Sequence, residues 1–439
     1  MKKDLGNIGS LSGLNVAFGA AYRTEQYQQF LGSDESYAVG PLAVELGKDV
    51  GASARPGIQD VRDIDRNNIG VYADVEADIT DALLIAAAGR FENYSDFGGN
   101  ISGKLAARYK IADNFAIRGS YNRGFRAPSV AQLGTVNNTS TVQNGIIVIT
   151  RQVASDDDRL EQLGIEDPKA EISDNFNIGL TAKLLDDNLL FTVDAYQINI
   201  NERIVISERL NTVDYPAVAA LFPNEREIRF FTNHIDTKTQ GIDVVAAYRM
   251  ALGVGHSINL SLAGTFNGTE VVSQKDTPDE ILAGAAEEAQ GLKLLGQTAT
   301  ELIEVAVPRQ KILLSAQYNN SGFGLSARVT RFGEVQAFSN GLSDEDDNVI
   351  CNDAGRCVQT YAAKVVSDLS LSYAFSDNFT LSLGSNNLFD VYPDKYNTSR
   401  NGYVGSASSY ASGQIPYSRN SNQFGFNGRY LYLTSLINF

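Results

Sequence analysis

Across 439 residues the chain has no tryptophan, two cysteines, two histidines and two methionines, and it has no long apolar run. The longest uninterrupted apolar stretch, ALLIAAAG at 82–89, falls far short of the roughly 18 residues a spanning helix needs, which excludes a helical membrane protein. Basic residues are scarce too: 36 Lys and Arg stand against 52 Asp and Glu, for a net charge of −16. Phosphate binding needs a basic surface, so nucleic acid is excluded as a partner, and the acid excess counts against an anionic ligand. Met1-Lys2-Lys3 has the charge of a signal-peptide start, but Asp4 and polar residues follow where an apolar core belongs, so no signal is expected in these residues. The two histidines, His234 and His256, fall in a loop and beside a short turn, with no Ser-centred nucleophile motif or carboxylate pair; an enzyme is not expected, nor any cofactor. Cys351 and Cys357 bracket the polar loop CNDAGRC. A Cys-only metal site wants four ligands and nothing nearby supplies the rest, so a disulfide in an oxidising compartment is the reading. The acidic DEDDN at 344–348 lacks the Gly and distal Glu of an EF-hand loop and reads as solvated; no metal is expected.

What is abundant is glycine, with 39 residues, and phenylalanine and tyrosine, with 21 and 20. The last stretch, QFGFNGRYLYLTSLINF at 423–439, alternates: Leu431, Leu433, Ile437 and Phe439 share one parity, interrupted by Ser435, while Tyr430, Tyr432, Thr434 and Asn438 share the other. Period two with one apolar face predicts a strand, and an aromatic terminus suits a strand sealing a membrane barrel. The same pattern recurs back to Leu14. Segments at Leu14–Tyr22, Val71–Ile79, Leu83–Phe91, Gly103–Ile111, Phe115–Tyr121, Phe176–Leu184, Leu189–Ile200, Ile242–Tyr248, Ile258–Phe266, Ile312–Tyr318, Phe323–Val329, Leu369–Phe375 and Phe379–Leu383 precede the terminal one. One phase slip, between Ala195 and Tyr196, suggests a bulge. Short polar turns alternate with long irregular loops, which gathers all short turns at one end.

The faces opposite the apolar ones carry Asp74, Glu76, Asp78, Arg90, Glu92, Lys104, Arg108, Arg118, Asp194, Asp243, Arg328 and Asp368. Packed into a sandwich core, these charges would each cost several kcal/mol; facing a wide aqueous lumen they stay solvated. The uniformly apolar faces are what lipid requires, since a charge there costs about 2–4 kcal/mol at the midplane, and closure removes edges that lipid would leave unsatisfied. The fold class is therefore all-β: an antiparallel transmembrane β-barrel of the bacterial outer membrane, with about 14 strands. Short turns then face the periplasm, and the long loops, with the cysteine pair, face outside.

Four stretches carry a family resemblance. YNRGFRAPSVAQL (121–133), NFNIGL (175–180) with FTVDAYQINI and NERI (191–204), LGSNNLFDVYPDKY (383–396) and GRYLYLTSLINF (428–439) together resemble the C-terminal barrel region of TonB-dependent outer-membrane receptors. GFRAPS and NNLFDVYP are specific in combination. The resemblance implies a 22-strand barrel around an N-terminal plug, of which about 14 strands are present here, so the barrel is expected to be incomplete or open. Residues 1–439 then form one C-terminal barrel portion, with plug and TonB box absent. It also implies TonB-dependent uptake of a scarce nutrient, such as a siderophore, a cobalamin or an oligosaccharide, bound at the extracellular loops. The chain alone would not be active, and TonB would act only through the missing N-terminal region. A self-contained 14-strand passive channel and a surface adhesion barrel remain alternatives, the first requiring a seam between Leu14–Tyr22 and the terminal strand.

Candidate ligand-binding residues lie at the outer rim. Arg126 continues the inward parity of Arg118 and Asn122, whereas Arg123 shares that of Tyr121, so Arg126 is the better ligand or plug contact; the structural alternative is salt bridging within the wall. The loop 392–422 is rich in Tyr, Ser, Gly and Asn and offers Tyr396, Tyr403, Tyr410 and Tyr417 as aromatic faces for recognition, a sugar ring included. An interfacial girdle or a self-packed loop would use the same residues.

Overall fold

The alternating segments join into one sheet. In the computed structural model of the protein, the described residues are 2–8, 11–34, 41, 61–143, 146–223, 225–339, 349–351, 357–395, 416–418 and 421–438. Strands β1 (Lys2–Ile8), β2 (Leu11–Gln29), β3 (Arg62–Asp78), β4 (Leu83–Tyr94), β5 (Gly98–Ala112) and β6 (Phe115–Arg126) follow one another. The next outer loop holds β7 (Asn137–Gln143) and β8 (Ile146–Gln152), after which the wall resumes with β9 (Glu171–Leu184) and β10 (Leu189–Ile206). Two short strands, β11 (Leu210–Asn211) and β12 (Glu227–Arg229), precede β13 (Phe231–Gly253), β14 (His256–Gln274), β15 (Gln310–Asn320) and β16 (Phe323–Phe332). Then come β17 (Val335–Ser339), β18 (Val349–Cys351) and β19 (Cys357–Tyr361), and last β20 (Lys364–Ser376), β21 (Phe379–Asn386) and β22 (Tyr430–Ile437).

Fifteen of these make the wall, in the order β1-β2-β3-β4-β5-β6-β9-β10-β13-β14-β15-β16-β20-β21-β22. They include all the expected strands and one more, β1, which hydrogen-bonds antiparallel to β2. Among the described residues neither β1 nor β2 pairs with β22, so the sheet order shows no seam of the kind a self-contained channel requires.

Side chains sort by parity as the alternation requires. Leu105 is 57% exposed, Ile178 67%, Leu314 52% and Leu433 67%, all on the apolar face, which these residues leave largely uncovered by the described parts of the chain. On the other face charges meet charges across strands. Arg118 on β6 reaches Asp194 on β10 (Nη2 to Oδ2 2.5 Å, Nε to Oδ1 2.9 Å) over the intervening strand β9. The residue between them in register is Gly179, where a Cβ would collide with both partners. Glycine at that position is what lets one ion pair bridge three strands.

The phase slip at Ala195–Tyr196 is not a bulge. Pairing of β10 with β9 runs unbroken from Leu189 to Asn201, so Tyr196 stays on the Asp194 face. Its ring lies over Gly241 of β13, filling space a side chain would otherwise occupy. The irregularity falls further on, between Ile200 and Arg203. Short and long connections also do not alternate strictly: β4 and β5 are joined at the long-loop end by residues 95–97 alone.

Several strands are longer than a membrane crossing needs. A spanning strand needs about 9–11 residues, and β13 has 23. The molecule's hydrophobic core sits out there, in the loops. Val153, Leu160, Leu163, Ile165, Leu210, Tyr215, Val218, Phe222, Ile228, Phe230, Ile281 and Leu294 form one buried cluster drawn from three loops, those after β6, β10 and β14. Parallel pairing of β12 with β8 ties two of these loops into a small sheet, β11-β12-β8-β7. What read as irregular loops is a packed cap at the long-loop end of the wall.

Candidate functional site

The cap and the outer ends of β10, β13 and β14 enclose a polar cavity of about 500 Å³. Its lining includes Glu166, Asp167, Lys169, Glu202, His234 and Lys275. Asn233, buried on β13, fixes one side: its Nδ2 donates to the carbonyls of Lys169 (3.0 Å) and Glu202 (2.5 Å), and its Oδ1 accepts from the Lys169 N–H at 2.7 Å. Lys169 pairs with Glu166 at 2.6 Å, which holds the Glu166 carboxyl below its ordinary range and the Lys169 ammonium above its own. Lys275 pairs with Glu202 at 2.5 Å. Next to Asn233, His234 is only 2% exposed, and its Nε2 is buried with no hydrogen-bond partner.

His234 lies eight residues above Ile242, where the apolar face of β13 ends, and so stands clear of the membrane-spanning part of the strand. Burial first, then the neighbouring Lys275 and Lys293, push its pKa down to about 4. The imidazole is neutral at physiological pH, with its unpartnered Nε2 buried behind the cavity wall. Its folded pKa lies below the unfolded value, so between pH 6.5 and 4 the unfolded chain binds more protons, and stability falls as pH falls. The cap is expected to lose on the order of 2–3 kcal/mol across that window. Protease sensitivity of the loops against pH checks this, and His234→Gln should flatten the profile; a flat wild-type profile would refute it. No group of three or more metal-binding side chains gathers among the described residues.

Of the candidate site residues, Arg123, Arg126 and Tyr417 lie among the described residues. Arg126 Nη2 donates to Glu171 Oε1 at 2.7 Å, and the same oxygen accepts the Ile204 N–H at 2.7 Å. Arg123 lies 3.7 Å from Asp174, its register partner on β9. Both arginines are engaged in bracing β6 against β9, and neither lines the His234 cavity. Tyr417 stacks between Tyr392 (6.1 Å) and Phe426 (5.5 Å), so its ring faces are used within the loop. Tyr396, Tyr403, Tyr410 and the acidic run 344–348 lie outside the described residues. Cys357 is buried and disulfide-bonded, and Cys351 stands opposite it in register between β18 and β19.

The motifs that carried the resemblance hold the loops to the wall. In GFRAPS, Ser129 caps the helix Val130–Gly134 in a reciprocal capping box with Gln132. The Pro128 carbonyl accepts Arg66 Nη1 at 2.6 Å. That arginine, 4% exposed, also pairs with Glu25 and lies against the rings of Tyr94 and Phe97. In NNLFDVYP, Asn387 and Asp390 take left-handed backbone (φ 51° and 58°), which Asn and Asp tolerate best among non-glycine residues. Asn387 closes on Val391 through two hydrogen bonds, and Asp390 accepts the Arg429 N–H at 2.8 Å, setting the entry into β22.

The architecture has clear relatives. The family model described as "TonB dependent receptor-like, beta-barrel" matches residues 3–388. Among solved structures, a variant of the ferric enterobactin receptor PfeA from Pseudomonas aeruginosa, in complex with enterobactin, superposes with a TM-score of 0.61 at 15% identity, over 99% of this chain and 53% of that one. The siderophore receptor PirA from Acinetobacter baumannii gives 0.60 at 15% identity, over 99% and 53%. The pyoverdine outer-membrane receptor FpvA from P. aeruginosa, bound to pyoverdine, gives 0.56 at 14% identity, over 100% and 52%. Comparison with curated proteins gives no match. The chain spans about half the length of these solved structures. An antiparallel wall with a solvated inner face, signature motifs at the loop junctions and a family match over most of its length place this chain in the TonB-dependent receptor-like β-barrel family.

Proposed function

We propose that this chain supplies part of the wall and the extracellular cap of an outer-membrane receptor that imports a ferric siderophore under TonB control. The observation that carries the reading is the His234 cavity, a polar recess held by buried Asn233 within a cap that has its own core. A rigid recess with a few fixed polar groups is what small-molecule recognition uses. Solved relatives bound to enterobactin and pyoverdine make a siderophore the first ligand to test, ahead of cobalamin or an oligosaccharide. TonB engagement is assigned to a part of the receptor other than these wall and cap residues, so the chain by itself is expected to be inactive. The open strand order supports this reading over a passive channel. The packed cap is also a feature that a surface adhesin would show, and transport separates the two.

The test is uptake of radioiron by iron-starved cells carrying the intact receptor, with cobalamin and a labelled oligosaccharide as parallel arms. Deleting residues 207–230 is expected to abolish ferric-siderophore uptake while leaving the receptor in the membrane. Uptake that survives the deletion, or that continues after the proton-motive force is collapsed, would sink the proposal.

A further inference from the structure

The apolar outer face ends differently at β15–β16 than elsewhere along the described wall. On β16, Arg331 shares the parity of Val329, and pairing with β15 is unbroken, so its side chain leaves the sheet on the lipid side. Its register neighbours are Ile312 on β15 and Val365 on β20, the latter 48% exposed. Among the described residues no carboxylate pairs with it; its Nη1 donates to Gln310 Oε1 at 3.2 Å, a neutral partner on the same face. Beside it, Arg309 is exposed, and its guanidinium runs past the outer face of Gly268 on β14. Among the described residues its guanidinium makes one hydrogen bond, a long one, 3.4 Å from Nη2 to the Glu304 carbonyl. Both arginines line a recess of about 450 Å³ together with Val305, the 65%-exposed Val307 and Glu334. Glu334 makes no ion pair with either, so the described lining sets two guanidiniums against one carboxylate.

Two other outer-face cations are neutralised across the ladder. Lys238 meets Glu270 at 3.1 Å and Arg123 meets Asp174 at 3.7 Å, each pair in register. Height completes the picture. From Tyr318, near the periplasmic turn, to Gln310 is eight strand steps, about 20 Å above Tyr318 once strand tilt is allowed for, close to the top of an apolar band about 25 Å tall. Two guanidiniums with no carboxylate partner among the described residues, edged by exposed valine at the upper lipid boundary, match a ligand with a phosphate head and an apolar body. We infer that Arg309 and Arg331 form a binding site on the outer wall for the phosphate of an anionic membrane lipid.

The test uses the protein extracted from outer membranes, exchanged into neutral detergent and mixed with micelles carrying phosphatidic acid. Parallel arms carry diacylglycerol in its place, or inorganic phosphate as competitor. Lipid retained per chain after washing is read by mass spectrometry. The Arg309→Ala/Arg331→Ala double variant is expected to retain about 30-fold less phosphatidic acid than wild type, while Lys238→Ala, at an ion-paired position, retains the wild-type amount. Should the double variant fail to reach the membrane, Arg331→Gln alone carries the test, with about a fivefold loss expected. Equal retention by wild type and variant overturns the inference. So does equal retention of diacylglycerol, which would mark an apolar seat, or full displacement by millimolar inorganic phosphate, which would mark a free-anion site.

Discussion

Replacing Phe222 by alanine is expected to open the loop cap while leaving the wall folded. Phe222 is fully buried at the end of the helix Pro216–Leu221, and its N–H closes that helix on the Val218 carbonyl at 2.9 Å. The guanidinium of Arg159, from the loop after β6, lies over the ring at 4.2 Å, and Arg159 is itself held by Asp157 at 2.7 Å. The ring thus joins two loops that share no wall strand, in a cluster that also takes Ile281 and Leu294 from a third. Truncating a buried phenylalanine costs about 3–5 kcal/mol, and here the loss falls on a unit whose apolar core is small. The wall depends instead on backbone ladders that Phe222 does not touch. Protease cleavage within 207–230 should accelerate by about 100-fold or more, tracking the population of the opened loop. Heat-modifiable mobility of the wall on gels should stay unchanged. Loss of that mobility would show that cap and wall fold as one unit; cleavage at the wild-type rate would show that the cluster does not hold the loops.

The contrast between cap and wall also explains what could be read beforehand. A lipid-facing strand has to expose an apolar side chain at every second position, so Leu105, Ile178, Leu314 and Leu433 announce themselves through period two. Inner charges such as Asp194 and Arg118 confirm the phase, because only water or an ion pair can satisfy them. Tyr196, Ile198 and Ile200 misled because apolar residues on the inner face mimic a shift in register; the sign of their true direction is Gly241, a vacancy that Tyr196 fills from the neighbouring strand. The short strand β1 has little alternation to show, with Gly6 at a left-handed φ of 62° breaking its pairing with β2. The cap left no period at all, since its core residues come singly from positions between Val153 and Leu294 and meet only in three dimensions. His234 was visible as one of two histidines, but nothing in its neighbours told that it would be buried beside a cavity. Arg126 had the inward direction expected of it, yet its chemistry is claimed by Glu171, a residue 45 positions away whose role depends on the β6–β9 register.

Placing arginine at Leu314 is expected to destabilise the wall by about 2–4 kcal/mol, the cost of a cation at the lipid midplane. Leu314 is 52% exposed on β15, in register with Leu262 on one side and Val329 on the other, so the guanidinium would meet only aliphatic neighbours. Arg331, two positions beyond Val329, marks the height at which this face first accepts a cation; Leu314 lies below that level, where snorkelling to the headgroups is long and incomplete. The adjacent Ser315 points the other way, its Oγ 2.6 Å from Ser261 Oγ on the lumen side, and arginine there would reach water. Ser315→Arg should therefore cost little more than that one hydrogen bond, about 1 kcal/mol. Urea unfolding of both variants in bilayers, followed by gel mobility, reads the difference directly. Equal destabilisation at the two positions would mean that both faces meet the same solvent, and the assignment of lipid to the Leu314 side would fall with it.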